Sequence, residues 1–575
     1  MKQEKGKWAG FPIYNRPLGK TTEGIDDGRP VVMITDLSVC APSRLIAGGN
    51  SEEHDGAPAA AQWGIVDYTT DKFFGKMLTA HRTSPAPDVT LPLNVEGWYA
   101  VYVWIMGGDV DQEGLYPFDF DCVYSQSSGP LLHLTGDEQF SGLFRTLSHD
   151  RMMWPGFEAC FWRYEDLTDK SITIRHQGST VHIGAVQLIP LSPAEVEVIK
   201  EERSSRTNKR LILKSDEFTG RPKQLSVDQL RHSDVSAWIV GCEETDELFS
   251  SEGPQDILAL RETMHSIGAE AYVCDRPSLW SSALFHWEDR KPFDFETHPE
   301  WHCRDRDGTP THTASYAVPE VVDYMLERAR AVAETGIDGF GYFFNRGPGM
   351  VLFEPAAMKG FEEEHGVDPL TLDERDDRLL DWRADIITEF LRKVRSTLDN
   401  VAEKRGLNRI KMVHVVLGDE AANRVYSFDV PRWIKEGLVD VLCPYPWTDY
   451  QDRWLAQGFV EVDVKYFAGL VKDTDVALYP MWLTGRWRRH WTPEHVQMKD
   501  YFTKAMQQYA DGADGISAWD FGGLHAAFCA DRWLRLGHKD KLAEWIESDF
   551  PLPPKVQFRT LGGKRVDRFP EGTGG

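Results

Sequence analysis

The pattern of apolar and polar positions changes once along the chain, close to residue 191. Between residues 29 and 191, short apolar runs alternate with turns rich in Gly, Pro, Ser and Asp, and helical periodicity is almost absent. Such runs predict a β-sandwich; the clearest are PVVMITDLSV, WYAVYVWIMGG, FDFDCVYS, PLLHLTG, EACFWRYEDL, SITIRHQ and TVHIGAVQLIPL. The run WYAVYVWIM is almost continuously apolar, which predicts a strand that is buried on both faces.

After a polar segment at 192–209, interpreted as a helical linker, apolar strands alternate with amphipathic helices. This alternation predicts βα units around a parallel sheet. The predicted strands are 210–218, 236–244, 269–277, 337–345, 409–420, 439–447, 475–483 and 513–521. The predicted helices are 254–266, 319–335, 378–404, 430–437, 460–472 and 493–511.

These elements predict an α/β fold in which a (β/α)8 TIM barrel with long insertions, at 210–550, follows an N-terminal β-sandwich domain of jelly-roll-like type, at 29–191. Residues 1–28 are predicted to be an N-terminal extension. Residues 551–575 are rich in Pro and Gly and are predicted to form an irregular tail. The sandwich either binds carbohydrate through exposed aromatic side chains or braces the barrel, and we favour the brace because no polar and aromatic cluster stands out in it.

Charge and composition narrow the classes of partner. The 575 residues include 64 basic and 90 acidic side chains, a formal net charge of −26, which argues against a nucleic acid or an anionic membrane as the main partner. No apolar run approaches the length of a membrane span, and the start MKQEKGKWAG lacks the apolar core of a signal peptide, so we expect a cytoplasmic protein. The eight cysteines form no CxxC pair and are expected to be reduced and mostly buried. The oligomeric state stays open.

Candidate chemistry lies where the predicted strands end, because barrel enzymes place their sites at the C-terminal ends of the strands. Carboxylates and Trp side chains recur at these ends, and the chain has 20 Trp in all. Paired carboxylates in an aromatic cleft are what glycoside hydrolysis requires, with one acid protonating the leaving oxygen and the other attacking or activating water. Glu420 and Asp520 are the predicted catalytic pair. The predicted substrate-binding residues are Glu243, Asp275, Asn345, Arg346, Asp419, Tyr445, Trp447, Trp482, Arg486 and Trp519.

Other residues suit structural or metal-binding roles. Asp338 and Asp514 lie in turns just before strands and are expected to be structural. His298 and His302 are four residues apart, next to Cys303, but no HExxH motif occurs and the stretch has the composition of a loop. We therefore predict neither a metal site nor an organic cofactor.

A series of short motifs resembles a known family. The motifs are HPEW at 298–301, DRDG at 305–308, YAVPEV at 316–321, IDGFGYFFN at 337–345, WIKEGLVD at 433–440 and PYPW at 444–447. Their order and spacing resemble the family 10-like glycosyl hydrolases of bacteria, and this resemblance implies a barrel that cleaves glycans. The family's paired acids on strand four align with Phe343 and Phe344, so they do not carry over. A similar subgroup carries NRG and FEP motifs, here 345–347 and 353–355, which makes Glu354 a substitute for either catalytic acid.

The resulting hypothesis is a glycoside hydrolase that acts on a poly- or oligosaccharide. Two alternatives stay open. A non-catalytic carbohydrate-binding protein would explain the missing acids on strand four. A barrel lyase or isomerase acting on an acidic sugar would explain the basic run from Arg486 to Arg489, which is equally compatible with a solvated loop.

Overall fold

The computed structural model describes the chain in fifteen segments, and everything below concerns these residues: 30–50, 62–80, 86–106, 131–136, 142–143, 156–176, 181–215, 230–242, 253–277, 297–345, 349–446, 462–483, 498–519, 534–547 and 555–566. The chain is of mixed α/β type, with antiparallel sheets in its first third and a parallel sheet in the remainder. No described helix is both long and apolar enough to cross a membrane.

The first third forms two sheets whose described pairings are antiparallel, except that Ile46–Asn50 and Trp63–Thr70 pair in parallel. Its strands are β1 (Val32–Ile34), β2 (Ile46–Asn50), β3 (Trp63–Thr70), β4 (Phe74–Ala80), β5 (Val89–Pro92), β6 (Trp98–Met106), β7 (Leu131–Leu134), β8 (Gly142–Leu143), β9 (Gly156–Asp166), β10 (Ser171–Arg175) and β11 (Val181–Pro190). The small sheet has the order β5-β10-β7-β8, and the large sheet contains β2-β3-β4-β11-β6-β9. Apolar side chains of both sheets share one core. The predicted strand FDFDCVYS lies outside the described residues.

Strand β6 is buried on both faces, as its composition predicts. Val101 and Val103 join the core between the two sheets. Ala100, Tyr102 and Trp104 point to the opposite face, where a second apolar cluster covers the large sheet. Both faces of the large sheet are therefore packed.

The C-terminal tail is not irregular where it is described. Residues 555–566 contain β23 (Lys555–Leu561) and β24 (Lys564–Arg565). Strand β23 pairs antiparallel with β9, opposing Val556 to Phe157, and with β3, opposing Phe558 to Thr70. The prediction of an irregular tail is wrong here because Pro and Gly dominate the average composition, whereas the alternating apolar residues of KVQFRTL bury one face of a strand.

The remainder of the chain supplies the parallel sheet and a short hairpin. Its strands are β12 (Leu211–Ser215), β13 (Val235–Cys242), β14 (Glu270–Asp275), β15 (His302–Arg304), β16 (Pro310–Ala314), β17 (Gly339–Phe343), β18 (Lys411–Leu417), β19 (Val441–Tyr445), β20 (Ala477–Leu478), β21 (Met481–Leu483) and β22 (Ile516–Trp519). Strands β15 and β16 form the hairpin, and the others pair in the order β20-β19-β18-β17-β14-β13-β12-β22-β21.

The parallel sheet curls until its two edges nearly meet. Edge strands β20 and β21 are separated only by Tyr479 and Pro480, and they pair with β19 and β22 respectively. Together they occupy the predicted strand 475–483. All eight predicted strand segments contain a described strand of this sheet, so the parallel arrangement expected from the sequence is confirmed.

The described helices pack around this sheet and between its strands. They are α1 (Pro193–Ser204), α2 (Gly253–Ser266), α3 (Pro319–Ala333), α4 (Pro355–Met358), α5 (Phe361–His365), α6 (Asp377–Arg405), α7 (Glu420–Val425), α8 (Val430–Lys435), α9 (Val464–Val471), α10 (Met498–Ala510) and α11 (Leu542–Ile546). Each of the six predicted barrel helices coincides with one of these. A helix between β12 and β13 would fall mainly outside the described residues.

Helix α1 occupies the predicted linker and joins the two regions. Ser192 and Glu195 form a capping box at its start, which satisfies backbone donors of the first turn. Val196 and Ile199 pack on the large antiparallel sheet. At the C-terminal end of α1, the carboxylate of Glu202 lies 2.9 Å from Nε2 of His538. The N-terminal region is thus fastened at the end of the parallel sheet where its strands begin.

An aspartate with the same structural role precedes several described strands of the parallel sheet. Asp338, Asp440 and Asp514 lie just before β17, β19 and β22, and the carboxylate of each accepts a backbone N–H from an earlier strand of the sheet, β14, β18 and β20 respectively. The donor–acceptor distances are 2.9, 2.7 and 2.9 Å. The structural role predicted for Asp338 and Asp514 is confirmed, and Asp440 shares it.

Candidate functional site

The alternation of side chains along the parallel strands separates two layers. One set of residues packs towards the axis of the curled sheet, and the other packs towards the helices, because successive residues of a strand point to opposite faces. The axis-facing apolar set is Ile212, Ala237, Ile239, Tyr272, Cys274, Phe343, Val413, Val415, Val441, Cys443, Tyr445, Met481 and Trp519. Residues one position away, such as Leu213 and Val273, belong to the helix-facing core.

Three aromatic rings form a group at the C-terminal ends of the strands, which we call the axial floor: Phe343, Tyr445 and Trp519. The centroid of Trp519 lies 5.0 Å from that of Phe343 and 4.9 Å from that of Tyr445, and both pairs meet edge to face. All three side chains are fully buried. The structure therefore brings together Tyr445 and Trp519, both predicted from the sequence to bind substrate, and adds Phe343.

A lysine that is not among the predicted site residues lies against this floor. Lys214 is fully buried, and its Nζ is 3.7 Å from the centroid of Trp519 and 5.3 Å from that of Phe343. Its signal was available in the sequence: Lys214 follows Ile212 by two positions in the apolar strand LILKS, so both face the axis. Lysine is almost never fully buried unless its charge is paired.

Two further polar residues lie two positions beyond axis-facing residues of their strands. Arg276 lies two positions beyond Cys274, is half-buried, and places its guanidinium carbon 5.7 Å from the centroid of Phe343. Asn345 lies two positions beyond Phe343 and is fully buried. The intervening Phe344 belongs to the helix-facing core, so the alternation that places Phe343 inside also directs Asn345 towards the axis.

Asp275 does not join this group. It is the last residue of β14 and points towards the helices, where Arg328 of α3 binds both of its oxygens at 2.7 and 3.0 Å. Both side chains are 1% exposed. This buried ion pair fastens α3 to the sheet, which departs from the expectation that Asp275 binds substrate.

Trp482 also lies on the helix-facing side. Its indole N–H donates to Gln508 Oε1 of α10 at 2.6 Å, and its ring lies near Tyr501. The neighbouring Met481 takes the axis-facing position instead. Trp482 therefore packs α10 against the sheet and does not line the axial floor, contrary to the prediction.

Glu354 is held by the loops that follow β14 and β17. Its carboxylate accepts from the hydroxyl of Ser315 and from the backbone N–H groups of Arg304 and Leu352, the latter two at 3.2 Å. The side chain is 1% exposed. These contacts tie the β15–β16 hairpin to the segment before α4, so the geometry gives Glu354 the role of an internal anchor.

Glu420, in contrast, is exposed at the first residue of α7, directly after β18. Asp419 caps this helix by accepting the N–H of Ala422 at 2.7 Å. Burial raises the pKa of Tyr466, and hydrogen bonding to the nearby Glu420 carboxylate raises it further. Glu420 is thus an accessible carboxylate with a tyrosine partner, whereas Asp419 acts as the helix cap.

The described cysteines and the HPEW segment offer no alternative chemistry. Cys40, Cys274, Cys303 and Cys443 are buried free thiols, as expected, and burial raises the pKa of Cys443 to about 12, which keeps the thiol protonated. His298 stacks on Trp301, while His302 binds the Thr311 carbonyl at 2.7 Å. Within the described segments, no group of three His, Cys, Asp or Glu side chains is arranged to hold a metal ion.

Five predicted site residues lie outside the described residues: Glu243, Arg346, Trp447, Arg486 and Asp520. Their roles stay predictions.

No protein-family model matches the chain, and no curated protein matches it. Among solved structures it is similar to α-L-fucosidase isoenzyme 2 from Paenibacillus thiaminolyticus, at 13% identity and a TM-score of 0.38, over 59% of this chain and 50% of that one. It is also similar to a β-galactosidase from the Antarctic haloarchaeon Halorubrum lacusprofundi, at 13% identity and 0.41, over 58% of each chain. A third is TtGalA, an α-galactosidase from Thermus thermophilus, at 14% identity and 0.33, over 86% of this chain and 97% of that one.

The chain spans between half and three-fifths of the length of the first two enzymes. All three are glycosidases, but TM-scores below 0.5 carry no conclusion about family, substrate or mechanism. The resemblance to family 10-like glycosyl hydrolases stays a prediction.

Proposed function

We propose that the chain is a glycoside hydrolase whose sugar site lies over the axial floor. The observation that carries the proposal is the convergence of Phe343, Tyr445 and Trp519 at the C-terminal ends of parallel strands, the end at which barrel enzymes bind their substrates. The three rings are fully buried, so in this proposal they form the apolar base beneath the sugar and exclude water from it. Asn345 supplies an amide suited to sugar hydroxyls. In this proposal the curled sheet is a complete (β/α)8 barrel, and the N-terminal sandwich braces its base.

The proposed catalytic pair is Glu420 and Asp520. Glu420 is supported by its exposure after β18 and by its contact with Tyr466, which can hold the carboxylate in one orientation. Asp520 directly follows Trp519 in the sequence. One carboxyl group would protonate the glycosidic oxygen, and the other would attack the anomeric carbon or activate water. Glu354 is only 1% exposed, which disfavours it as a substitute for Glu420 or Asp520.

A panel of plant, algal and bacterial glycans, with products read by mass, tests the proposal. The wild type is compared with Glu420→Gln and Asp520→Asn, and Glu300→Gln, which alters an exposed glutamate of the HPEW segment, serves as the control. We expect products heavier by one water from the wild type and the control. Loss of a catalytic acid commonly costs 10²-fold or more, so we expect a decrease of at least about 100-fold in both variants.

The outcomes separate the alternatives. Hydrolysis that survives Glu420→Gln keeps the reaction class and removes Glu420 from the mechanism. Unsaturated or rearranged products indicate the lyase or isomerase. Binding without any product contradicts the proposal and leaves a carbohydrate-binding protein.

A further inference from the structure

A cavity of about 440 Å³, which we call the α3–α6 cavity, lies in the outer layer of helices between the C-terminal turns of α3 and α6. These turns directly precede β17 and β18, so the cavity is at the end of the sheet where the strands begin. Its volume falls within the range of small-molecule sites, about 300–1,000 Å³. The residues that line it include Arg330, Glu334, Asn400, Val401, Lys404 and Arg405.

The helical repeat gathers these residues on facing sides of the two helices. Arg330 and Glu334 are four positions apart on α3, and the lining of α6 contains two such pairs, 400 with 404 and 401 with 405. Side chains four positions apart lie one turn above another on the same face of a helix. Val401 is buried in the core that the two helices share, whereas the cationic residues are exposed at the rim. The cavity therefore has an apolar floor and a charged, accessible rim.

The charge of this rim is positive in a chain whose formal net charge is −26. Arg330, Lys404 and Arg405 supply three positive charges, and Glu334 supplies one negative charge. Among the residues that the structure describes, no carboxylate oxygen lies within 4 Å of a charged nitrogen of these three cations. Asp399, also on α6, is instead held by Arg395 at 2.5 Å. Three like charges around one concave surface repel each other, and a bound anion would remove that repulsion.

The ends of the two helices do not account for all of this charge. Basic side chains in a last turn interact favourably with the negative end of a helix, but that end carries only about half a negative charge. Two helix ends together with Glu334 thus leave the rim positive. The last turns also have internal partners for their carbonyl groups, since the N–H of Gly406 donates to Ala402 and Glu403, and the N–H of Glu334 donates to Arg330.

We propose that the α3–α6 cavity binds a small, multiply charged oxyanion of the phosphate or polycarboxylate class. The guanidinium groups of Arg330 and Arg405 would each bind two of its oxygens, and the ammonium group of Lys404 would add a third charge-assisted contact. The amide of Asn400 is suited to a further oxygen of the ligand. The inference is independent of the proposed function, because the cavity lies at the opposite end of the strands from the axial floor.

Calorimetric titration of the full chain with pyrophosphate, citrate and inorganic phosphate tests this inference, with sodium chloride added to match the ionic strength. We expect either pyrophosphate or citrate to bind at least about tenfold more tightly than inorganic phosphate, because each carries more negative charge. The preferred ion identifies phosphate or carboxylate as the group recognised. Binding should weaken as the salt concentration is raised from 50 to 500 mM. The bound ion should also raise the urea midpoint of unfolding, because it binds the folded chain.

The variants Arg330→Gln and Lys404→Gln each remove one cation from the rim. We expect each to weaken binding of the preferred ion by at least about tenfold and to abolish most of its effect on the urea midpoint. Lys435→Gln is the matched control, because Lys435 is an exposed cation in the last turn of α8 that does not line the cavity. It should bind the ion as the wild type does, although it also loses one cation at a helix end.

Three outcomes would overturn the inference. The first is that none of the three ions binds the wild type beyond the effect of matched sodium chloride. The second is equal weakening in Arg330→Gln, Lys404→Gln and Lys435→Gln, which would indicate attraction by overall charge alone. The third is binding of a long polyanion, dextran sulfate, without binding of the small ions, which would indicate a surface for a macromolecule. Glycan hydrolysis is measured separately, so its presence or absence leaves each of these results interpretable.

Discussion

The two ends of the parallel strands use polar residues in opposite ways. At the base, where the strands begin, aspartates bind backbone N–H groups of neighbouring strands, and Asp440 and Asp338 also bind Arg409 and His265. At the mouth, where the strands end, the axis-facing polar groups Lys214, Arg276 and Asn345 accompany aromatic rings. At the base the polar groups bind the backbone of the sheet, whereas at the mouth they pack against the axial floor, below the proposed site.

This difference shows why a carboxylate near a strand is not by itself a sign of catalysis. A carboxylate whose oxygens accept from fixed donors of the chain stabilises the fold, because removing it leaves those donors buried and unpaired. The N-terminal region reinforces the distinction, since Glu202 of α1 meets His538 at the base, and His538 in turn contacts Asp234 at 2.6 Å. Additional structure is therefore attached at the end that performs no proposed chemistry.

The largest effect on stability is expected at Asp275. This residue lies at the mouth, but its carboxylate is bound by fixed donors of the chain, like the aspartates of the base. Asp275→Ala leaves Arg328 buried without its partner, and breaking a buried pair in this way costs about 3–5 kcal/mol. We expect a decrease of that size in the free energy of unfolding, measured by urea denaturation. Asp305→Ala, in the exposed turn of the hairpin, is the control and should change stability by less than about 0.5 kcal/mol. Normal stability combined with lost ligand binding would instead make Asp275 a substrate residue.

The layered fold was predictable because its signals are local. Apolar runs such as KMVHVVL and amphipathic stretches such as PEVVDYMLERARAVA each specify an element by their own periodicity, and the described elements fall within or close to the predicted ranges. Strand β23 was missed because its partners β9 and β3 lie about 400 and about 490 residues earlier in the chain, and its pairing is a long-range property.

The site was harder to predict, because a position near the end of a strand does not show to which face of the sheet its side chain points. Asp275 and Trp482 lie one position away from the axis-facing Cys274 and Met481, and that single step moves them to the helix-facing layer. Lys214 was overlooked although the same alternation places it inside. Glu354 sits in a loop, where periodicity gives no direction, and its anchoring partners come from a separate hairpin.

The pH dependence of stability gives a second test, at the base. His414 is fully buried; its Nδ1 accepts the N–H of Tyr342 at 3.3 Å, and its Nε2 lies 3.0 Å from the carbonyl of Leu438, to which it donates. Burial lowers the pKa of His414 to about 4, although the Leu438 carbonyl and Asp440 oppose the shift. Protonation would also direct a second N–H at the backbone N–H of Tyr342.

The unfolded chain takes up this proton near pH 6.5, but the folded chain does so only near pH 4. Stability is therefore expected to fall as the pH decreases from 6.5 to 4, by about 3 kcal/mol from this residue, and to level off below. Urea denaturation at several pH values should show a shallower slope in this window for His414→Gln than for the wild type. His298→Gln is the control, because the His298 side chain is 42% exposed, whereas that of His414 is fully buried. An unchanged slope in His414→Gln would contradict the assignment.

The smallest expected loss of stability is the clearest test of whether the base and the mouth act independently. Asp514 binds the N–H of the buried Leu478 at 2.9 Å and lies at the opposite end of the strands from the axial floor. Asp514→Ala leaves that donor unpaired, which costs about 1–2 kcal/mol, while the axial floor keeps all of its contacts. We expect a lower free energy of unfolding with unchanged ligand affinity, and Asp475→Ala, which alters an exposed neighbouring aspartate, should change neither quantity. If ligand affinity fell with stability in Asp514→Ala, the base and the mouth would be coupled through the strands between them. The contrast between a structural end and a binding end would then have to be replaced by a single cooperative unit.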